Sequence, residues 1–302
     1  MTPKPSFQPA ARDGGTTPTI AAMRPLVSIE ELASHLNDPH WIVFDCRHDL
    51  AAPEAGEAAW RTSHIPGARF AHLDRDLSGA KTGGNGRHPL PTRESYATFL
   101  AACGANQRST LVAYDASNGL YASRLWWLAR WIGHDAVAVL DGGLPAWQAA
   151  GLPINDRASH PIAGDLRIGV ALVSHVDAQH VEANLSTQAM LVVDARAPER
   201  YRGEVEPLDP VAGHIPHAVN RPMAKNLAAD GRFKDARELR HEFDALLAGR
   251  EPDTLIHSCG SGVTACHNLL AMEIAGRPGA TLYAGSWSEW CADRQRPVAR
   301  GS

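Results

Sequence analysis

Short apolar runs recur along this chain, with helix-forming stretches between them. In the first half Trp41-Ile42-Val43-Phe44, Thr110 through Tyr114 and Val137 through Leu140 read as buried strands. Helices are expected over Val27–Asn37, where Ser28 can cap a face carrying Leu32, Ala33 and Leu36, and over Arg93–Cys103 and Ser123–Ile132. In the second half Leu191-Val192-Val193 and Thr254-Leu255-Ile256 read as strands. A helix with Leu269, Leu270, Met272 and Ile274 follows, until Gly276-Arg277-Pro278 stops it. Strands alternating with helices predict an α/β fold, a parallel-sheet core with helices on both faces.

The order of these elements occurs twice. Asp45-Cys46-Arg47 returns as Asp194-Ala195-Arg196, and His64-Ile65-Pro66-Gly67-Ala68 as His214-Ile215-Pro216-His217-Ala218. Leu140 through Trp147 returns as Tyr283 through Trp290. Three ordered matches at similar offsets are the signature of a duplicated unit. The chain is expected to divide into a flexible tail over 1–25, a first domain over 26–152, a polar, turn-rich linker over 153–169 and a second domain over 170–297.

Composition narrows the class. The chain has 302 residues and a formal charge of −4, so no surface for nucleic acid is implied. No apolar run approaches the ~20 residues a membrane helix needs. The first 23 residues lack the compact apolar core of a secretory signal. The five cysteines are odd in number and irregularly spaced, which argues for a reducing, cytoplasmic setting rather than a disulfide framework. Cys259 and Cys266 do not form a Cys-x-x-Cys pair, so neither a metal nor a cofactor is expected.

The candidate chemistry lies between the strand ending near Ile256 and the helix that follows. Cys259 opens the loop Cys259-Gly260-Ser261-Gly262-Val263-Thr264. Glycines at 260 and 262 allow a tight turn whose N–H groups converge as an anion-binding nest, and the helix N-terminus adds to that field. Such surroundings favour the thiolate, the nucleophilic form; the alternative is a buried structural cysteine. Aligning Leu111 through Tyr114 on Leu255 through Ser258 puts Asp115 opposite Cys259, so the first unit lacks the nucleophile. Cys266 and the tryptophans Trp126, Trp127, Trp131, Trp147, Trp287 and Trp290 read as packing residues, the tryptophans at and around the domain junction.

These motifs, with Tyr114-Asp115-Ala116-Ser117, Leu140-Asp141-Gly142-Gly143 and Gly285-Ser286-Trp287-Ser288-Glu289-Trp290, make the chain resemble the tandem-domain rhodanese-type sulfurtransferases from about Leu26 to Pro297. Within that group the loop is most similar to that of the 3-mercaptopyruvate enzymes, whose residues after the cysteine are uncharged where thiosulfate enzymes carry basic ones. The resemblance implies two rhodanese-like domains. It also implies a persulfide on Cys259 held by residues 260 to 264, a small-molecule sulfur donor, and a thiol acceptor such as thioredoxin, or cyanide. It assigns Arg200 to the substrate carboxylate or ketone, and offers His64 for protonation. A bracing role for His64 is the alternative, because His214 stands at the equivalent position.

One departure stands out. The family pattern has a second arginine nine positions after Arg200, where this chain has Asp209; Arg221 is a candidate replacement. Three other readings compete. A thiosulfate:cyanide sulfurtransferase would share the persulfide chemistry. A cysteine phosphatase would need an arginine where Ala265 stands. A non-catalytic binding module would need Cys259 to be absent, and only the first unit meets that condition.

Overall fold

The apolar runs become the central strands of two separate five-stranded sheets in the computed structural model, which describes residues 24–302. Of the tail expected over 1–25, all but the last two residues lie outside this range. The first sheet contains β1 (Leu26–Val27), β2 (Trp41–Asp45), β3 (Arg69–Phe70), β4 (Thr110–Tyr114) and β5 (Val137–Leu140). Its spatial order is β1-β5-β4-β2-β3, with every pairing parallel. The helices around it are α1 (Ile29–Ser34), α2 (Ala55–Thr62), α3 (Arg93–Ala102), α4 (Ala122–Trp131) and α5 (Gly143–Ala149).

The second sheet repeats the design. It contains β6 (His175–Val176), β7 (Leu191–Asp194), β8 (Val219–Asn220), β9 (Leu255–Ser258) and β10 (Thr281–Tyr283), ordered β6-β10-β9-β7-β8 and again all parallel. Its helices are α6 (Ala178–Thr187), α7 (Pro198–Arg202), α8 (Ala236–Leu247), α9 (Thr264–Ile274) and α10 (Ser286–Trp290). None is long and apolar enough to cross a membrane.

Local differences from the sequence reading have physical causes. Ser28 does cap the first helix, accepting from Glu31 N–H, but Leu26 and Val27 pair with β5 instead of joining that helix. The Ala- and Glu-rich stretch after β2, not among the helices expected above, contains α2, whose buried residue is Gly56, so it has no apolar stripe to announce it. Helix α8, left unassigned by the sequence reading, is capped by Asp235 and buries Leu239, Phe243 and Leu247.

The two halves share one core. Residues of α4, including Trp126 and Trp127, belong to the same buried cluster as Ala265, Cys266, Leu270 and Met272 of α9. The two helices pack against each other across the junction. A helix apolar on nearly every side, as α9 is, must be covered on nearly every side. The tryptophan expectation needs correcting in part: Trp147 lies in a separate cluster of the first domain, and Trp287 and Trp290 in one of the second. They fill the layers away from the junction.

Between the domains the chain has no helix or strand over residues 156–174. It is tied to the first domain by backbone bonds from Gly164 to Ala101, Leu166 to Ala105 and Gly169 to Ile132. A Cβ at Gly164 would lie 2.0 Å from the Ala105 carbonyl oxygen, so only glycine admits this approach.

Candidate active site

Strand β9 ends at Ser258, helix α9 begins at Thr264, and Cys259 opens the loop between them, 1% exposed. Its main chain is anchored to α10: Trp287 N–H donates to Cys259 O at 3.0 Å, and Ser288 N–H to Gly260 O at 2.9 Å. Gly262 has φ +75°, and a Cβ there would meet the Ala284 carbonyl oxygen at 2.1 Å. Gly262→Ala therefore combines left-handed strain with a clash against backbone. It is expected to destabilise the protein by about 3 kcal/mol or more, measured as the shift of the urea midpoint. A variant as stable as the parent would show that the loop is not held in this conformation.

The first domain shows what this loop shape attracts. At the position of Cys259 stands Asp115, wholly buried, whose carboxylate accepts from the N–H groups of Ser117, Gly119, Tyr121 and Ala122 at 2.7–3.0 Å. Leu144 N–H donates to Asp115 O, the same bond that Trp287 makes to Cys259. Burial raises the Asp115 carboxyl and these four N–H groups oppose that shift, so the repeated scaffold is an acceptor-binding nest whose occupant, in the first domain, is part of the chain.

Ser286 was not singled out by the sequence reading, although its signal is present there: the first unit has Gly143 at this position. Both residues are left-handed, Gly143 at φ +57° and Ser286 at φ +53°. A buried serine in that region is strained, and the hydroxyl gives a reason for it. Its Oγ accepts from Cys259 N–H at 3.0 Å, lies 2.8 Å from Tyr283 O, and is 4.0 Å from the Cys259 sulfur.

Arg200, in the middle of the short helix α7, reaches over the loop, and so does a residue that the sequence reading passed over. A Cβ at Gly260 would lie 2.8 Å from a guanidinium nitrogen of Arg87 and 3.5 Å from one of Arg200. Arg87 comes from the glycine-rich loop of the first domain, which docks through Arg87 N–H on Ser288 Oγ at 3.0 Å. Its guanidinium is ion-paired with Asp209. Asp209 also approaches Arg200, at 3.4 Å, and Glu206 takes Arg200 at 2.6 Å and Arg196 at 3.3 Å. Asp209 therefore does not leave the site short of a guanidinium; it holds one that arrives from the other domain. Burial raises the Glu206 carboxyl, but Arg200 and the N–H groups of Leu208 and Asp209 outweigh it, leaving Glu206 below the usual range.

Arg221 is not that replacement. It is buried against Phe243 and engaged by Glu242 and Asn226. His64 also lies elsewhere, wholly buried, with Nδ1 2.6 Å from Trp60 O, Nε2 3.1 Å from Arg157 O and its ring stacked on Trp60. His214 stacks on Tyr201 in the same way. Both rings are engaged by backbone carbonyls beside their turns, and His64 is not among the residues around the Cys259 loop.

A different histidine meets the loop. His88 Nδ1 lies 2.8 Å from Ser261 Oγ, and its Nε2 faces Asp74 at 3.6 Å. Burial pushes the imidazole down to about 3, so at neutral pH the ring is uncharged, with Nδ1 placed to share a hydrogen bond with the Ser261 hydroxyl. Beneath it lies Arg124 of α4, fully buried, which donates to the carbonyls of Leu77 and His88 in the first domain and Gly262 in the second. Burial drives the Cys266 thiol up to about 12, which makes it inert beside the loop.

These groups enclose a cavity of about 190 Å³ lined by Arg87, His88, Tyr121, Arg200, Gly260, Ser261, Val263 and Thr264. A buried cysteine on a glycine-bearing loop at a helix N-terminus, two guanidiniums and a neutral imidazole suit nucleophilic attack on a small anionic sulfur compound.

The model of the Rhodanese-like domain matches residues 28–150 and 177–293. A probable 3-mercaptopyruvate sulfurtransferase from Pseudomonas aeruginosa is 48% identical over 91% of this chain and 98% of that protein. A putative thiosulfate sulfurtransferase from Mycobacterium tuberculosis is 39% identical over 92% of this chain and 97% of its own length. Among solved structures, 3-mercaptopyruvate sulfurtransferase from Leishmania major superposes with a TM-score of 0.80 at 28% identity, covering 91% of this chain and 76% of that one.

Proposed function

The chain belongs to the rhodanese family, as a tandem-domain sulfurtransferase, and on that premise we propose that it takes sulfur from 3-mercaptopyruvate through a persulfide on Cys259. The observation that carries this reading is the charge balance over the loop. Arg87 and Arg200 both face Gly260, yet each is already paired with Asp209 or Glu206, and residues 260 to 263 are uncharged. That field suits a monoanion recognised through hydrogen bonds, not a compact dianion that needs unpaired positive charge.

The Cys259 thiolate attacks the sulfur of the donor, and the carbon–sulfur bond breaks. Its electron pair leaves on carbon as the enolate of pyruvate, while the donor's thiol proton is released. Returning that proton to the enolate carbon gives pyruvate, so no outside oxidant or reductant is needed. Ser261 and His88 relay this proton: Nδ1 of the imidazole takes it from the Ser261 hydroxyl as the Nε2 proton passes toward Asp74, so the ring stays uncharged throughout. The N–H groups of residues 260 to 264 hold the persulfide anion, and the Ser286 hydroxyl fixes Cys259 beneath it. An acceptor thiolate, on a small thiol or a thioredoxin-like protein, then takes the outer sulfur. Five free cysteines accord with such a reducing, cytoplasmic setting.

The likeness to a putative thiosulfate sulfurtransferase supports thiosulfate as the alternative donor. Steady-state comparison of the two donors with one thiol acceptor decides between them. A kcat/KM higher for 3-mercaptopyruvate by roughly 10²-fold is expected, with pyruvate as product. A preference for thiosulfate would overturn the donor assignment and leave the persulfide chemistry standing.

A further inference from the structure

Behind His88, on the first domain's side of the cleft, lies a group of side chains that sulfur transfer does not fully use. One ring nitrogen of His48, one of His88 and a carboxylate oxygen of Asp74 lie within 4.8 Å of one another. Ser261 fixes the orientation of His88 by engaging Nδ1, which turns Nε2 toward Asp74. His48 stands edge-on to His88 with ring centroids 6.5 Å apart, and its Nδ1 is buried without a hydrogen-bond partner. Lys81 binds Oδ1 of Asp74 at 2.7 Å, the oxygen that His88 Nε2 faces, so an ion here either displaces that ammonium or takes Oδ2. We propose that His48, Asp74 and His88 form a binding site for a late first-row divalent cation of the zinc class, and that its occupation stops sulfur transfer.

The donor set is that of such ions: two imidazoles and one carboxylate, with a fourth position for water. Ligands at ~2.1 Å around a tetrahedral ion stand about 3.4 Å apart, so the three groups close by about an ångström. His48 follows β2 in a half-exposed segment and can make that movement. The contact between His88 Nδ1 and Ser261 Oγ supplies the outer hydrogen bond that orients a metal-bound histidine.

Coordination forms a bond from Nε2 to the ion and moves that nitrogen's proton to Nδ1. No electron is transferred and the ring remains neutral. Nδ1–H then donates to Ser261 Oγ and can no longer accept a proton from it. The inhibitory half of the proposal rests on the relay assigned to His88 above; the binding half does not.

Co²⁺ is the probe, added to chelator-treated full-length protein. One equivalent is expected to bind and give visible d–d absorption without a thiolate charge-transfer band. His48→Ala is expected to lose this binding and Cys259→Ser to keep it. Protein loaded with Zn²⁺ and freed of excess by gel filtration is expected to be at least about tenfold less active, with recovery in EDTA. His48→Ala is expected to match the parent's basal rate, which shows that it folds, and to ignore the metal. Undiminished Co²⁺ binding by His48→Ala, or its loss in Cys259→Ser, would overturn the site. A bound ion with full activity would overturn both the inhibition and the His88 relay, and leave the metal site standing.

Discussion

Cys259→Ser is expected to abolish pyruvate release from 3-mercaptopyruvate, with turnover falling by roughly 10⁴-fold or more. A serine hydroxyl keeps the shape of the loop but is not ionised at neutral pH, and an oxygen–sulfur bond would not pass sulfur on to a thiol. Fold and stability should be unchanged, because Cys259 is held through its main chain by Ser286 and Trp287. The direct readout is the intact mass after donor is added without acceptor. The parent should gain the mass of one sulfur atom, at Cys259, and the variant none. Cys266 is the nearest alternative carrier, yet its thiol is pushed up to about 12 and bonds the Gly262 carbonyl at 3.2 Å. Sulfur transfer persisting in the variant would refute the persulfide mechanism outright.

Arg200→Met and Arg87→Met should each lower kcat/KM for 3-mercaptopyruvate by roughly 10²-fold, since a hydrogen bond to a charged group contributes about 1.5–3 kcal/mol. The two effects should not add. Arg87 and Arg200 share Asp209, so removing one leaves that carboxylate to the other and pulls the survivor from its place over Gly260. The double variant should therefore lose less than the product of the single losses. Arg87→Met should also loosen the docking of the first-domain loop, because its side chain is an ionic tie between the domains at this point. Full activity in Arg87→Met would show that the second guanidinium is not part of the substrate site.

Much of this arrangement is legible in the amino-acid sequence. Buried parallel strands are continuous apolar runs, and a duplicated unit advertises itself through motifs such as His64-Ile65-Pro66 and His214-Ile215-Pro216. The same duplication identified Asp115 as the counterpart of Cys259. What the sequence hid were pairings made across the junction. Arg87 and Asp209 meet only because two domains close on each other, and neither position carries a local pattern. His88 was obscured in a segment notable only for its glycines, while His64 drew notice from a repeated motif, although its ring is engaged by backbone carbonyls beside a turn. Helix α2 escaped because it buries almost nothing, and periodicity reports burial. Ser286 could have been found, since a serine replacing a repeat's glycine in a tight turn is itself a clue.

The carboxylate of Asp115 gives the two halves different lifetimes of occupancy. In the first, the guest is covalently part of the host, so the receptor is filled at every moment and its stability is constant through the reaction. In the second, the guest is a sulfur atom that comes and goes with each turnover, while the main chain of the loop stays anchored to α10. The invariant half then serves as an abutment, setting Arg87, His88 and Arg124 against a partner whose occupant changes. Duplication has in this way separated holding from exchanging, with a single side chain deciding which half does which.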